Sequence, residues 1–93
     1  MYNVVIVEDE ELVRRGIVTA VNWASVDCAV VGEAAGGTEG IAVIRSSHPD
    51  IVVTDIRMPG MDGLEMLRRL REEGCEAKFI FLTIGKDRNL SWK

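Results

Sequence analysis

One stretch limits what this chain can fold into more than any other: Ile-Val-Val-Thr-Asp-Ile-Arg-Met-Pro-Gly-Met-Asp-Gly at 51–63. Ile51, Val52 and Val53 are β-branched and do not alternate with polar residues. That is the pattern of a strand covered on both faces, as in a parallel sheet between helices. The run ends in Asp55, and Pro59-Gly60 then breaks regular structure. Asp62 as N-cap, with Glu65 three residues on, marks the start of a helix. Asp55 is thereby predicted at the carboxyl end of a buried strand, where open α/β sheets place their ligands.

A second unbroken run, Val4-Val5-Ile6-Val7, leads into four consecutive acids, Glu8-Asp9-Glu10-Glu11. Acids in the first turn of a helix meet the positive end of its dipole, which accounts for Glu10 and Glu11. Glu8 and Asp9 fall on the strand end, before the helix begins, and need another reason. Over residues 10–21, Leu12, Val13, Ile17, Ala20 and Val21 recur at helical spacing while Arg14 and Arg15 face away. Residues 22–27 form a connection in which Trp23 is predicted to cap the core. Residues 29–34 read as a shorter strand, interrupted by Gly32 and Glu33 as suits a sheet edge.

Gly36-Gly37-Thr38-Glu39-Gly40 fits neither phosphate-loop fingerprint, so it is read as a turn with Thr38 capping a second helix. That helix is expected to bury Ile41 and Ile44, helped by Ala42 or Val43, and to end by Pro49, with His48 a solvated turn residue. Leu64, Leu67 and Leu70 are the expected apolar stripe of a third helix. Arg68, Arg69 and Arg71 take its wet side, and Gly74 stops it. Met58, Met61 and Met66 read as gap-filling core residues. Phe79-Ile80-Phe81-Leu82 is a fourth strand, ending at Thr83.

Alternation of strand and helix predicts an α/β fold, a parallel sheet with right-handed crossovers and helices on both faces. At 93 residues the chain is one small domain, and 47% hydrophobic with 28% charged residues is a globular composition. A net charge of −4 argues against direct nucleic-acid binding by this segment. No apolar run approaches the roughly 20 residues of a membrane span, and no basic leader opens the chain, so a cytoplasmic location is expected. Cys28 and Cys75 fall outside metal-binding or redox spacings and read as small apolar residues.

In such a sheet Glu8, Asp9, Asp55 and Thr83 reach one rim. Carboxylates gathered there repel, and a hard cation resolves the conflict. Mg²⁺ takes oxygen ligands and keeps room for phosphate. Asp9 and Asp55 would bind it directly, and the longer Glu8 directly or through water. Asp55 then becomes a candidate nucleophile toward a phosphoryl group.

Val-Val-Ile-Val-Glu-Asp-Glu at 4–10, Asp-Ile-Arg-Met-Pro-Gly-Met-Asp-Gly at 55–63 and Phe-Leu-Thr at 81–83 resemble the receiver domain of two-component response regulators. Asn22-Trp23 followed by Val-Val-Gly-Glu-Ala is similar to receivers joined to AraC-type DNA-binding domains. The resemblance spans residues 3–83 and implies a flavodoxin-like fold. It implies Asp55 as the residue phosphorylated by a sensor histidine kinase, and Glu8 and Asp9 as the acidic pair holding Mg²⁺. The backbone carbonyl of Arg57 would be a further ligand and Thr83 a switch hydroxyl. A phosphoacceptor of this kind is a switch rather than an enzyme, regulating transcription through a separate domain.

Receivers continue through a fourth helix, a fifth strand bearing a phosphate-pairing lysine, and a fifth helix. The expectation here is a receiver over 1–84 lacking those elements, then a divergent tail over 85–93. Lys86 is three residues past Thr83, not at the family's lysine position, and Ile84 stands where the family has Ala or Gly. A bare fourth strand would lead the chain to homodimerise or leave it poorly stable. The alternative reading is a pseudo-receiver that keeps the fold for protein contacts alone. An Asp-nucleophile phosphatase is disfavoured by Arg57, which stands where a second acid is needed. A dinucleotide-binding domain is disfavoured by the lack of its glycine fingerprint.

Overall fold

The β-branched runs at 4–7 and 51–53 become neighbouring central strands whose alternate residues feed two separate cores. In the computed structural model, which describes residues 1–82, the elements are β1 (Tyr2–Val7), α1 (Glu11–Ala20), a 3-10 turn (Trp23–Val26) and β2 (Cys28–Ala34). Then follow α2 (Gly37–Ser47), β3 (Ile51–Asp55), α3 (Gly63–Glu72) and β4 (Lys78–Leu82). The four strands form one sheet in the order β2-β1-β3-β4, with every pairing parallel.

Val5, Val7 and Val52 point into a core with Ile41 and Ile44 of α2 and Met66 and Leu70 of α3. Val4, Ile6 and Val53 point the other way, toward Ile17 and Val18 of α1 and Trp23. Both faces of the central strands are therefore covered, which is why their sequences do not alternate. Trp23 caps the second core as expected, although its indole N–H is buried without a hydrogen-bond partner. Met58 and Met66 are buried and Met61 packs beside them, so the methionines do fill gaps.

Several local expectations shift. α1 buries no residue completely: Leu12 and Val21 are exposed, and the face turned to the sheet is the narrower set of Ile17 and Val18. α2 is capped by Gly36 in extended conformation, two residues before the expected Thr38. The reason is steric, since a Cβ on Gly37 would stand 2.6 Å from the Met61 carbonyl oxygen, and the helix must start there to pack that closely. The buried side of α3 is Gly63, Met66 and Leu70, so Leu70 is buried as expected, while Met66 takes the inner place expected of Leu67 and Leu64 is half exposed. Asp62 does cap α3, accepting a 2.8 Å bond from the Glu65 N–H. Gly74 takes the left-handed conformation after the helix, at φ +87°.

β2 is an edge strand, and its register slips between Val4 and Val5, leaving Val31 as a bulge opposite Gly32's shift in pairing. At the other side β4 closes the sheet among the described residues, with Ile80 49% exposed.

Candidate functional site

β1 and β3 are neighbours, yet the chain leaves β1 toward β2 on one side and reaches β4 on the other. The connections thus diverge above the carboxyl ends of these two strands and open a crevice there. Val7 pairs with Thr54, so the next residues of both strands, Glu8 and Asp55, emerge side by side. Glu8 is 4% exposed and Asp55 5%, with Asp9 half-buried beside them. One oxygen from each of the three carboxylates lies within 4.8 Å of the others.

Two such charges at 4.8 Å repel by about 3 kcal/mol in a medium of intermediate polarity. Three acids gathered with two of them buried make a charge arrangement that a cation would relieve. Neighbouring ligands of octahedral Mg²⁺ stand about 2.9 Å apart and opposite ones about 4.2 Å. Oxygens within 4.8 Å of one another would reach that geometry by side-chain rotation, or with one carboxylate bridged by water. Its donors are all hard oxygens, which suits Mg²⁺ rather than a metal that prefers thiolate or imidazole. The residues present fit the ion.

Each acid is held by local structure. Glu8 continues the β1–β2 ladder through its N–H to the Ala34 carbonyl at 3.0 Å. Its carboxylate accepts the Glu10 N–H at 2.7 Å, closing the turn into α1. Asp55 Oδ1 accepts the Arg57 N–H at 3.3 Å, and the Thr54 hydroxyl donates to the Asp55 carbonyl at 2.9 Å. The bond from the Arg57 N–H limits rotation of the Asp55 side chain. Arg57 is therefore at the site, through its amide.

Two contributions escape sequence reading. Gly63 sits against the end of β3, and a Cβ there would come within 2.3 Å of the Asp55 carbonyl oxygen. Its absence lets the first turn of α3 press onto the strand end, and the Gly63 N–H bonds the Ile56 carbonyl at 2.8 Å. The other is Arg14. Expected to face solvent, its side chain is only 15% exposed, and its Nη1 donates to the Glu8 carbonyl at 2.8 Å. The available signal was geometric: helical side chains lean toward the amino end, so an arginine one turn in can reach the turn before the helix.

Gly37 and Gly40 are packing devices, as a Cβ on Gly37 would meet the Met61 carbonyl oxygen at 2.6 Å and one on Gly40 would meet Met66 Sδ at 2.7 Å. His48 is an exposed residue at the end of α2, and among the described residues the cysteines join no metal-binding cluster. Thr83, Ile84 and Lys86 lie outside the described residues. No helix among the described residues is long and apolar enough to cross a membrane.

A family model described as a response regulator receiver domain matches residues 4–91. The chain is 34% identical over 83 residues to the transcriptional regulatory protein YesN of Bacillus subtilis, covering 89% of this chain and 23% of that one. It superposes on the receiver domain of AraT, a response regulator from Geobacillus stearothermophilus, with a TM-score of 0.81 and 32% identity, over 88% of this chain and 64% of that one. It also resembles a CheX–CheY–BeF3–Mg²⁺ complex from Borrelia burgdorferi, with a TM-score of 0.78 and 27% identity, over 96% of this chain and 66% of the matched chain. The chain spans less than half the length of the curated relatives it matches, from 23% to 42%.

Proposed function

Because this chain belongs to the response regulator receiver domain family, we propose that Asp55 accepts a phosphoryl group from a sensor histidine kinase with Mg²⁺ held beside it. The observation that carries this reading is the convergence of Glu8, Asp9 and Asp55 at the ends of two central strands. In it, a carboxylate oxygen of Asp55 forms the new bond to phosphorus, and the bond to the kinase imidazole breaks with its electron pair leaving on nitrogen. Arg57 N–H keeps the attacking carboxylate from rotating. Glu8 and Asp9 bind the cation, Asp55 supplies a third oxygen, and the Arg57 carbonyl supplies a fourth. The bound ion would neutralise charge on the incoming phosphoryl group. The Mg²⁺ named with CheY in the related complex is in keeping with this assignment.

Further steps of the reading are that the Thr83 hydroxyl turns toward the new phosphate, and that a receiver over 1–84 precedes a tail at 85–93. Phosphate on Asp55 would then shift self-association and, through a DNA-binding domain, transcription. The names of regulatory relatives such as YesN support that outcome.

Incubation with Mg²⁺ and a small phosphodonor should add one base-labile phosphate by mass. The addition should vanish in Asp55→Asn and on chelation of the metal. No gain in the wild-type chain would favour a fold kept for protein contacts alone.

A further inference from the structure

We propose that Arg14 is a positioning residue for the cation site: its guanidinium ties the Glu8 carbonyl, at the end of β1, to Glu33 on β2. The strut holds the turn that carries Glu8 and Asp9, and so keeps their carboxylates near Asp55. The inference rests on the cation reading above.

Arg14 and Arg15 are adjacent on α1, yet their side chains are 15% and 53% exposed. Only Arg14 bends back over the site. Its Nη1 donates to the Glu8 carbonyl at 2.8 Å and its Nε lies 3.4 Å from Glu33 Oε1. Arg15 Nη1 engages the other Glu33 oxygen at 2.9 Å, so the anchor on β2 is itself held from two directions. Glu8 thus has its carbonyl fixed by Arg14, its N–H by Ala34 and its carboxylate by the Glu10 N–H. A cation in the amino-terminal part of a helix opposes the helix dipole. It also opposes a second cation nearby. The helix dipole and a bound cation both disfavour a positive charge at Arg14, and directed bonds to the Glu8 carbonyl and Glu33 hold it there.

Those two facts give the test its sign. If Arg14 acted through charge alone, removing it would tighten Mg²⁺ binding. If it acts by holding the turn, removing it loosens binding, by about tenfold as for other residues that orient ligands. Arg14→Met removes charge and fork but keeps most of the bulk. Arg14→Lys keeps the charge and loses the fork that spans two acceptors. Arg45→Met is the control for loss of an arginine outside the strut, since Arg45 pairs with Glu73.

Mg²⁺ itself would be titrated into the full chain by calorimetry, and amide hydrogen exchange at Asp9 and Glu10 followed by NMR without metal. Arg14→Met and Arg14→Lys are expected to weaken Mg²⁺ binding about tenfold and to speed both amides by a similar factor. Glu33→Gln should move both readouts in the same direction, and Arg45→Met should leave both unchanged. Should Arg14→Met not fold, the lysine and Glu33 variants carry the same comparison. Binding as tight as wild type, or tighter, with unchanged exchange in the variants overturns the strut. A wild-type chain that takes up no Mg²⁺ overturns the cation reading instead, and exchange in the metal-free protein then decides the strut by itself.

Discussion

A single missing methyl group lets Asp55 stand where it does. With a side chain at position 63, a Cβ 2.3 Å from the Asp55 carbonyl oxygen would push α3 off the end of β3. Around that point, two carboxylates are buried and a third is half-buried, all with oxygens within 4.8 Å. Without metal this is a standing repulsion inside the folded state. Asp55→Asn removes one charge from the cluster while keeping its shape. It is therefore expected to stabilise the metal-free protein by about 1 kcal/mol. The gain should disappear, or reverse, when Mg²⁺ is added to both proteins, because only the wild type binds the ion fully. Urea unfolding with and without Mg²⁺ measures both halves. An Asn variant less stable than wild type in the absence of metal would count against a repulsive cluster.

At the scale of elements, α3 shows how exposed chemistry and buried packing divide one helix. Its inner side is Gly63, Met66 and Leu70, while Glu65 sits outside between Arg68 and Arg69. Hydrogen bonds from Arg68 and then Arg69 hold the Glu65 carboxyl at about 2, below its ordinary 4.5. A folded-state value below the unfolded one stabilises the protein above the unfolded value. That contribution is lost as pH falls from 4.5 through about 2. Both arginines and Glu65 lie at the surface, so salt weakens the effect. Urea midpoints of wild type and Glu65→Gln should differ at pH 6 and converge as pH falls toward 2. High salt at pH 6 should narrow the same difference. The arginines on the outer side were legible from spacing, as was the Asp62 cap. So was the burial of Leu70, but that Met66 rather than Leu64 or Leu67 lies inside was not, because the three are similarly apolar and the close approach of Gly63 to β3 bears on the rotation of the helix.

For the molecule as a whole, the described sheet ends at β4, where Ile80 is half exposed. An apolar strand at a sheet margin invites pairing with another copy. The chain is expected to self-associate as its concentration rises. Ile80→Lys should return the sedimentation-equilibrium mass toward the monomer, with folding stability changed by no more than about 0.5 kcal/mol. A wild-type chain monomeric at all concentrations would sink the idea.

Residue pattern was enough for the parallel sheet, the two-sided burial of β1 and β3, and the rim on which Glu8, Asp9 and Asp55 meet. β-branched runs without alternation, each ending in an acid, leave few other ways to satisfy burial and strand direction. Packing between elements settled the close contacts: Gly63 against the Asp55 backbone, Gly36 rather than Thr38 as cap, and Arg14 folded back onto Glu8. The physical reason is one of range. Periodicity records which side of an element is buried, whereas close approach depends on neighbours distant in sequence, here α2 against the 55–62 loop and α1 against the ends of β1 and β2.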